Sequence, residues 1–189
     1  HYPFCPRHRA GSYIENAMNE PEFQWNLPIG FTARPSTLAD LGEATDVFNA
    51  ASLKFTGQPE FSLEQTLSFW QSPGFDLAQY SRVVVAPDGR LVANVDVDLS
   101  SATPVHIVIW ARVHPQYAGL GIGTAMTQWA EHCARQAIPR VPADARVVLY
   151  TDVYGTDDTA VQLMTDCGFT HIRDFWRMKI EFADAFAGE

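Results

Sequence analysis

The sequence predicts a mixed α+β domain in which helices flank a central, twisted and mostly antiparallel sheet. A Pro-Asp-Gly turn signal separates two apolar runs within residues 82–99 and predicts an antiparallel hairpin. Residues 105–154 then read as strand, glycine loop, helix and strand, which predicts one parallel crossover. The complete predicted order is strand, helix, helix, three strands, helix, strand, helix, strand, with about four helices around the sheet.

Composition excludes several classes of protein. The chain has 189 residues, of which 47% are hydrophobic and 19% charged, as expected for one globular domain. Thirteen Lys and Arg stand against 22 Asp and Glu, so the net charge is −9, which disfavours nucleic acid and favours a cationic substrate. No apolar run approaches the roughly 20 residues that cross a bilayer, and the first residues lack the apolar core of a signal peptide. We therefore expect a cytoplasmic protein without a membrane partner.

Residues 1–30 are predicted to form an N-terminal arm, and residues 31–189 the folded domain. The three cysteines, Cys5, Cys133 and Cys167, are odd in number and irregularly spaced, which is typical of reduced thiols. Cys5 and His8 form a C-x-x-H pair, but no second pair follows at the spacing of a structural zinc site. We expect no metal.

The N-terminal half begins with a short strand, FTARPS, at residues 31–36. Thr37 with Asp40 resembles a capping box that opens a helix with Leu38 on its apolar side, and Ser62 with Gln65 repeats the signature. In the C-terminal half, residues 105–113 and 146–154 are predicted strands, residues 158–167 a helix that ends at Gly168, and residues 175–182 a last strand. The helix after the glycine loop carries one apolar stripe, formed by Ile122, Ala125, Met126, Trp129, Cys133 and Ala137.

Three glycines, Gly119, Gly121 and Gly123, crowd the turn between a predicted strand and this helix. A dinucleotide-binding G-x-G-x-x-G motif would need a further glycine at Thr124 or Met126. A P-loop would need a lysine, and residues 55–178 contain none. What remains is a run of backbone N–H groups at a helix N-terminus, which suits a pyrophosphate.

The stretch VHPQYAGLGIGTAM, residues 113–126, resembles the acetyl-CoA loop of the GNAT superfamily of N-acetyltransferases, V-x-P-x-x-(R/Q)-G-x-G-(I/V)-G. Residues 157–169, DDTAVQLMTDCGF, resemble the second motif of the family. The resemblance extends over residues 31–182. The matching residues are Val113, Pro115, Gly119, Gly121, Ile122 and Gly123 in the first motif, and Ala160, Leu163, Gly168 and Phe169 in the second.

The resemblance implies a GNAT fold, with the sheet split between strands four and five, and acetyl-CoA as co-substrate without a metal. Carried over position by position, it implies that the cofactor is bound by residues of the fourth strand, the loop and the second motif: Arg112, Val113, Ala118, Gly119, Leu120, Gly121, Ile122, Gly123, Thr124 and Asp157. Three positions depart from the family pattern. Ala118 replaces Arg or Gln, Asp157 replaces Asn, and Met164 replaces the Tyr that protonates the leaving thiolate in many members.

Because Met cannot donate a proton, another acid is needed. Period-two alternation places Tyr150, Asp152 and Tyr154 on one side of the fifth strand. We hypothesise that Tyr154, or Tyr150, supplies the acid and Asp152 the base. The alternatives are that Tyr154 and Asp152 only pack or cap, and that Asp96 or Asp98 is the base.

The resemblance implies an acyltransferase that moves acetyl from acetyl-CoA to a primary amine of a small molecule by direct attack in a ternary complex. The alternative is a non-catalytic domain of the same fold that binds acyl-CoA or serves a structural role, as the degenerate half of a tandem protein would. Two macromolecular partners stay open under either function: a second copy of the chain, which would form a homodimer, and a second GNAT domain.

Overall fold

The computed structural model describes residues 23–176 and 178. Within this part of the chain, five strands form one sheet and five α-helices surround it. The strands are β1 (Thr32–Pro35), β2 (Ser81–Val85), β3 (Leu91–Asp98), β4 (His106–Val113) and β5 (Val148–Thr151). The helices are α1 (Leu41–Thr56), α2 (Leu63–Trp70), α3 (Leu77–Tyr80), α4 (Ile122–Ala137) and α5 (Asp158–Asp166).

The sheet follows the order of the sequence, β1-β2-β3-β4-β5. Its first four strands are antiparallel, and β5 lies parallel to β4 after the crossover through α4. The mixed fold class and the crossover are therefore confirmed. The predicted hairpin is β2–β3, whose turn places Gly89 at φ +86°, a conformation that favours glycine.

The sheet lies between two helical layers. Helix α4 packs on the face that carries Val95, Val97, Ile107 and Ile109, and these side chains form the largest buried cluster with those of α4. Helices α1 and α2 cover the opposite face, where two smaller clusters form around Trp70 and around Val47 with Val83. Side chains alternate between the faces along each strand, so polar residues of β3 and β4 point toward α1 and α2.

Both predicted capping signatures lie at helix starts, in different forms. At α2, Gln65 N–H donates to Ser62 Oγ at 3.1 Å, and Ser62 N–H donates to Gln65 Oε1 at 3.0 Å. Before α1, a short 3-10 turn starts at Leu38, and Thr37 N–H donates to Asp40 Oδ2 at 2.8 Å. Leu38 is 52% exposed, so its expected place on the apolar side of the helix was wrong: the tighter 3-10 turn rotates it outward.

Strands β4 and β5 pair only at the beginning of β4, from His106 with Val148 to Ile109 with Thr151. Beyond Ile109 the two strands separate, and within the described residues β4 continues to Val113 paired with β3 alone. The predicted strand at 146–154 is shorter, Val148–Thr151, because its other residues have no ladder partner in the part of the chain that the structure describes. The sheet is split between strands four and five, as the family resemblance implied.

The predicted ends of the chain lie mostly outside the described residues. This applies to residues 1–22 of the predicted arm, with the Cys5 and His8 pair, and to most of the predicted strand at 175–182. Of the arm, Phe23, Trp25 and Leu27 pack against the α4 core, and the Trp25 ring stacks on Trp129 at 5.8 Å between centroids. No helix in the described part of the chain is both long and apolar enough to span a membrane.

Candidate functional site

A cleft of about 750 Å³ opens where β4 and β5 separate. One wall is the end of β4, the glycine loop and the first turns of α4, and the other is the first turns of α5. The C-terminal turns of α1 and the residues after β5 close one end. The wall of the cleft includes Lys54, Phe55, Arg112, Gly121, Tyr154 and Asp157.

The glycine loop forms the cradle at the N-terminus of α4. Gly119 has φ +78° and Gly121, the N-cap of α4, has φ +82°, so both adopt the left-handed conformation. A Cβ added at either position would meet nothing within 4 Å, so the space beside the loop is open. The first backbone hydrogen bond of α4 joins Ala125 N–H to Gly121 C=O at 3.1 Å. The N–H groups that precede Ala125 in the helix are not used by the helix itself and, with its dipole, suit an anion.

Gly123 is needed for a different reason. A Cβ at this position would lie 2.8 Å from Leu163 Cδ2 on α5. Helices α4 and α5 therefore approach closely beside the cleft, and the third glycine permits that approach rather than a special backbone conformation.

Asp157 begins α5 and also lines the cleft. Its carboxylate caps the helix, since Oδ1 accepts from Ala160 N–H at 3.2 Å. Met164, which stands where many family members carry Tyr, lies on the same wall.

The cleft brings together eight of the ten residues that sequence analysis predicted to bind the cofactor: Arg112, Val113, Ala118, Gly119, Gly121, Gly123, Thr124 and Asp157. The other two lie elsewhere. Ile122 is 1% exposed and anchors α4 in the core. Leu120 lines a neighbouring cavity of about 330 Å³, which shares Gly121 and Thr124 with the cleft.

Tyr154, the predicted acid, lies at the α1 end of the cleft. Its ring stacks on Phe55 with centroids 5.2 Å apart, and its hydroxyl donates to Glu60 Oε2 at 2.9 Å. Burial, together with the hydrogen bond to Glu60, raises the pKa of the phenol, although the nearby Arg112 charge opposes the shift. The phenol is thus protonated at neutral pH, as a general acid must be.

Sequence reasoning did not identify Glu60, which lies in the loop between α1 and α2. Asn49 on α1 holds this loop through three hydrogen bonds. Its Oδ1 accepts from the N–H groups of Glu60 and Phe61, each at 3.0 Å, and its Nδ2 donates to Phe61 C=O at 2.9 Å. Glu60 and Tyr154 are 94 positions apart, and no local motif marks their contact.

Arg112 and Asp152 face each other across the gap between the strands. Arg112 Nη2 donates to Asp152 Oδ2 at 2.8 Å, while Nη1 donates to two backbone carbonyls, of Ala111 at 2.8 Å and of Asp152 at 3.2 Å. The Arg112 side chain is only 9% exposed and the Asp152 side chain 47%. Arg112 lines the cleft, whereas Asp152, the predicted base, is held in the ion pair beside it. Its role as base stays a prediction.

The other predicted acids and bases lie away from the cleft. Tyr150 contacts His106 edge to face at 5.6 Å. Asp96 is buried beneath α2, where it accepts from Trp70 Nε1 at 3.2 Å and from the Ser81 hydroxyl. Burial raises the pKa of Asp96 to about 6. Asp98 accepts from Ser100 N–H at 3.1 Å, in the loop after β3.

Within residues 23–176 and 178, no group of three or more His, Cys, Asp or Glu side chains is placed to hold a metal ion. Cys133 is buried on α4, and burial raises the pKa of its thiol to about 12. A thiol with this pKa remains protonated and is a poor nucleophile at neutral pH.

Three of the solved structures that resemble this one are described as acetyltransferases. A GCN5-related N-acetyltransferase from Sphaerobacter thermophilus is 31% identical over 77% of this chain, with a TM-score of 0.69. The candidate acetyltransferase YncA from Salmonella typhimurium, solved with its cofactor acetyl-CoA, is 18% identical, with a TM-score of 0.60, over 81% of this chain and 87% of its own. A GCN5-related N-acetyltransferase from Kribbella flavida is 21% identical, with a TM-score of 0.56, over 76% and 84%.

This chain spans 45% of the length of the Sphaerobacter protein. No family model and no curated protein matches the sequence.

Proposed function

We propose that this domain transfers the acetyl group of acetyl-CoA to a primary amine of a small molecule. The premise is that the chain belongs by its fold to the GNAT superfamily. One observation carries the proposal. Two left-handed glycines, Gly119 and Gly121, present the N-terminus of α4 to a cleft that begins where β4 and β5 separate.

The residues present fit the binding of acetyl-CoA. The unused N–H groups at the start of α4 would bind the pyrophosphate, helped by the helix dipole, which contributes roughly 0.3–1 kcal/mol per suitably placed charge. Among the described residues, the edge of β4 beyond Ile109 has no strand partner on the side of the gap. Its backbone near Arg112 and Val113 would pair with the amides of the pantetheine arm.

The chemistry requires one group that accepts a proton from the ammonium and one that donates a proton to the leaving thiolate. Tyr154 is suited to the second task, since its phenol is protonated at neutral pH and burial raises its pKa further. We assign the first task to the carboxylate of Glu60, which can then return a proton to Tyr154 through their 2.9 Å hydrogen bond. Asp152 is the alternative base, but its pairing with Arg112 favours Glu60.

The acceptor in this proposal is a small amine that enters from the α1 end of the cleft. Phe55 and Tyr154 form an aromatic wall there, against which an organic cation can pack. The net charge of −9 supports a cationic acceptor over an anionic one.

Calorimetric titration with acetyl-CoA tests the binding step. We expect a micromolar dissociation constant, on the order of −8 kcal/mol. Gly121→Glu should abolish it by placing a side chain and a negative charge in the cradle. Gly89→Glu is the matched control: this glycine is also left-handed and also faces open space, but it lies in the β2–β3 turn.

Transfer is tested by release of free CoA thiol with a panel of diamines, aromatic amines, amino acids and amino sugars. Thiol release that depends on an amine supports the enzyme. Tight acetyl-CoA binding without thiol release for any amine of the panel would favour a non-catalytic domain that binds acyl-CoA. No binding at millimolar acetyl-CoA would contradict the enzyme and leave only the structural role.

A further inference from the structure

The sequence contains two lysines, Lys54 and Lys179, and Lys54 lies on the wall of the candidate cleft. It belongs to the last turn of α1, which ends at Gly57. The side chain is exposed, and its Nζ lies 4.8 Å from the centroid of the Phe55 ring. A primary amine of the chain itself is therefore present where the proposed acceptor amine would enter.

The surroundings of Lys54 connect it to the proposed acid and base. The Phe55 ring that holds its ammonium also stacks on Tyr154 at 5.2 Å, and Tyr154 donates to Glu60. The ammonium, the two rings and the carboxylate thus form one continuous series of contacts. Contact with an aromatic face stabilises a lysine cation only weakly at an exposed site, so the side chain can leave it.

We propose that Lys54 is a self-acetylation site and that acetyl-CoA bound in the cleft is the donor. This inference rests on the proposed function, since it requires acetyl-CoA in the cleft. The Lys54 ammonium first releases one proton and becomes a free amine. Its nitrogen then bonds to the thioester carbonyl carbon as the carbon–sulfur bond breaks. The second proton lost by the nitrogen balances the proton that the CoA thiolate takes up, so the products are Nε-acetyl-lysine and CoA.

Tethering favours this reaction over acetylation by free acetyl-CoA. Lys54 and the α4 cradle lie on the same cleft, so the reaction of bound acetyl-CoA with Lys54 is intramolecular and its rate does not depend on protein concentration. Acetylation also removes the positive charge and ends the contact of the cation with Phe55. The modified chain would present a neutral amide at the acceptor end of the cleft.

The test uses the full chain incubated with acetyl-CoA labelled with carbon-13 in the acetyl group. Intact mass followed by chymotryptic peptide mapping measures acetyl incorporation at Lys54 and at Lys179. We expect incorporation at Lys54 to be at least 10-fold faster than at Lys179 and independent of protein concentration. Gly121→Glu should abolish the faster acetyl incorporation at Lys54 relative to Lys179, whereas Gly89→Glu should retain it. Lys54→Arg, which keeps the positive charge, should remove the modification.

The outcomes separate the inference from the function on which it rests. If calorimetry shows acetyl-CoA binding but Lys54 reacts no faster than Lys179, self-acetylation is overturned and the proposed function stands. Equal labelling of Lys54 in wild type and in Gly121→Glu, where binding is lost, also overturns it, because the acetyl group then comes from solution. Absence of acetyl-CoA binding in the wild type overturns both.

Discussion

Arg112 reaches across the opening between β4 and β5 and holds Asp152 by two hydrogen bonds, one to its carboxylate at 2.8 Å and one to its backbone carbonyl at 3.2 Å. Its guanidinium also lies 5.3 Å from the Tyr154 ring centroid and 5.6 Å from that of Phe48. Arg112 Nε is buried without a hydrogen-bond partner in the described structure. The arginine therefore joins two strands that no longer share a ladder and supports Tyr154 from one side.

Asp152→Asn is expected to leave the fold intact and to lower the free energy of unfolding by about 1 kcal/mol, because Arg112 keeps its two backbone acceptors. Urea denaturation measures this change. The variant should also retain the fall of kcat/KM at low pH that marks protonation of the base. This pH profile is measured with an amine that thiol release has identified as a substrate. Loss of that fall would identify Asp152 as the base and contradict the assignment of Glu60.

Glu60→Gln is expected to lower kcat by about 100-fold or more, since a positioned base contributes that much. The amide keeps the hydrogen bond to Tyr154 but cannot take a proton at neutral pH. Acetyl-CoA binding should not change, because Glu60 does not belong to the cradle. A variant with the wild-type pH profile would show that Glu60 only orients Tyr154.

Asn49→Ala removes the three hydrogen bonds that hold Glu60 and Phe61 in the loop after α1. We expect a lower kcat with unchanged acetyl-CoA affinity, and a loss of stability of about 1–3 kcal/mol from the unpaired backbone groups. Thiol release measures kcat, calorimetry measures the acetyl-CoA affinity, and thermal unfolding measures the loss of stability. Weaker acetyl-CoA binding would mean that the loop, and not only Glu60, supports the cofactor side of the cleft.

Gly119→Ala and Gly121→Ala should each lower the free energy of unfolding by roughly 1–2 kcal/mol, because an alanine is strained at their positive φ. Gly42→Ala is the control. It lies exposed in the first turn of α1, and its added Cβ meets nothing within 4 Å, so it should be neutral or stabilise by up to about 1 kcal/mol. Equal effects at all three positions would show that the loop glycines are not required by backbone conformation.

Two buried or half-buried carboxyls should give opposite pH dependences of stability. Hydrogen bonding from Arg34 lowers the pKa of Asp40 to about 2, and burial raises the pKa of Asp96 to about 6. An unfolded Asp titrates near 3.9. The stabilisation from Asp40 is therefore complete above pH 4 and is lost as the pH falls toward 2, whereas the stabilisation from protonated Asp96 is complete below pH 4 and is lost as the pH rises to 6.

Asp96→Asn removes the second dependence. Between pH 4 and pH 7 the unfolding free energy of the wild type should fall by about 3 kcal/mol relative to that of the variant. The unfolding free energy of Asp40→Asn should not change relative to that of the wild type in this pH range. It should rise relative to the wild type only below pH 4. Parallel stability curves for Asp96→Asn and wild type would show that Asp96 titrates normally.

Apart from the four-residue helix α3, which is too short to show a hydrophobic period and was not predicted, the sequence by itself determined the order of the described elements. It also determined the hairpin at Gly89, the crossover through α4 and the glycine loop at the start of α4. Each of these depends on a local pattern: hydrophobic period, turn residues or backbone conformations open to glycine. Only the tertiary structure decided what depends on residues far apart in sequence. It joined Tyr154 to Glu60 and Arg112 to Asp152, and it placed Lys54 on the cleft. Side-chain contacts across 40 to 94 positions leave no periodic trace in the chain, because they form only when helices and strands pack against each other.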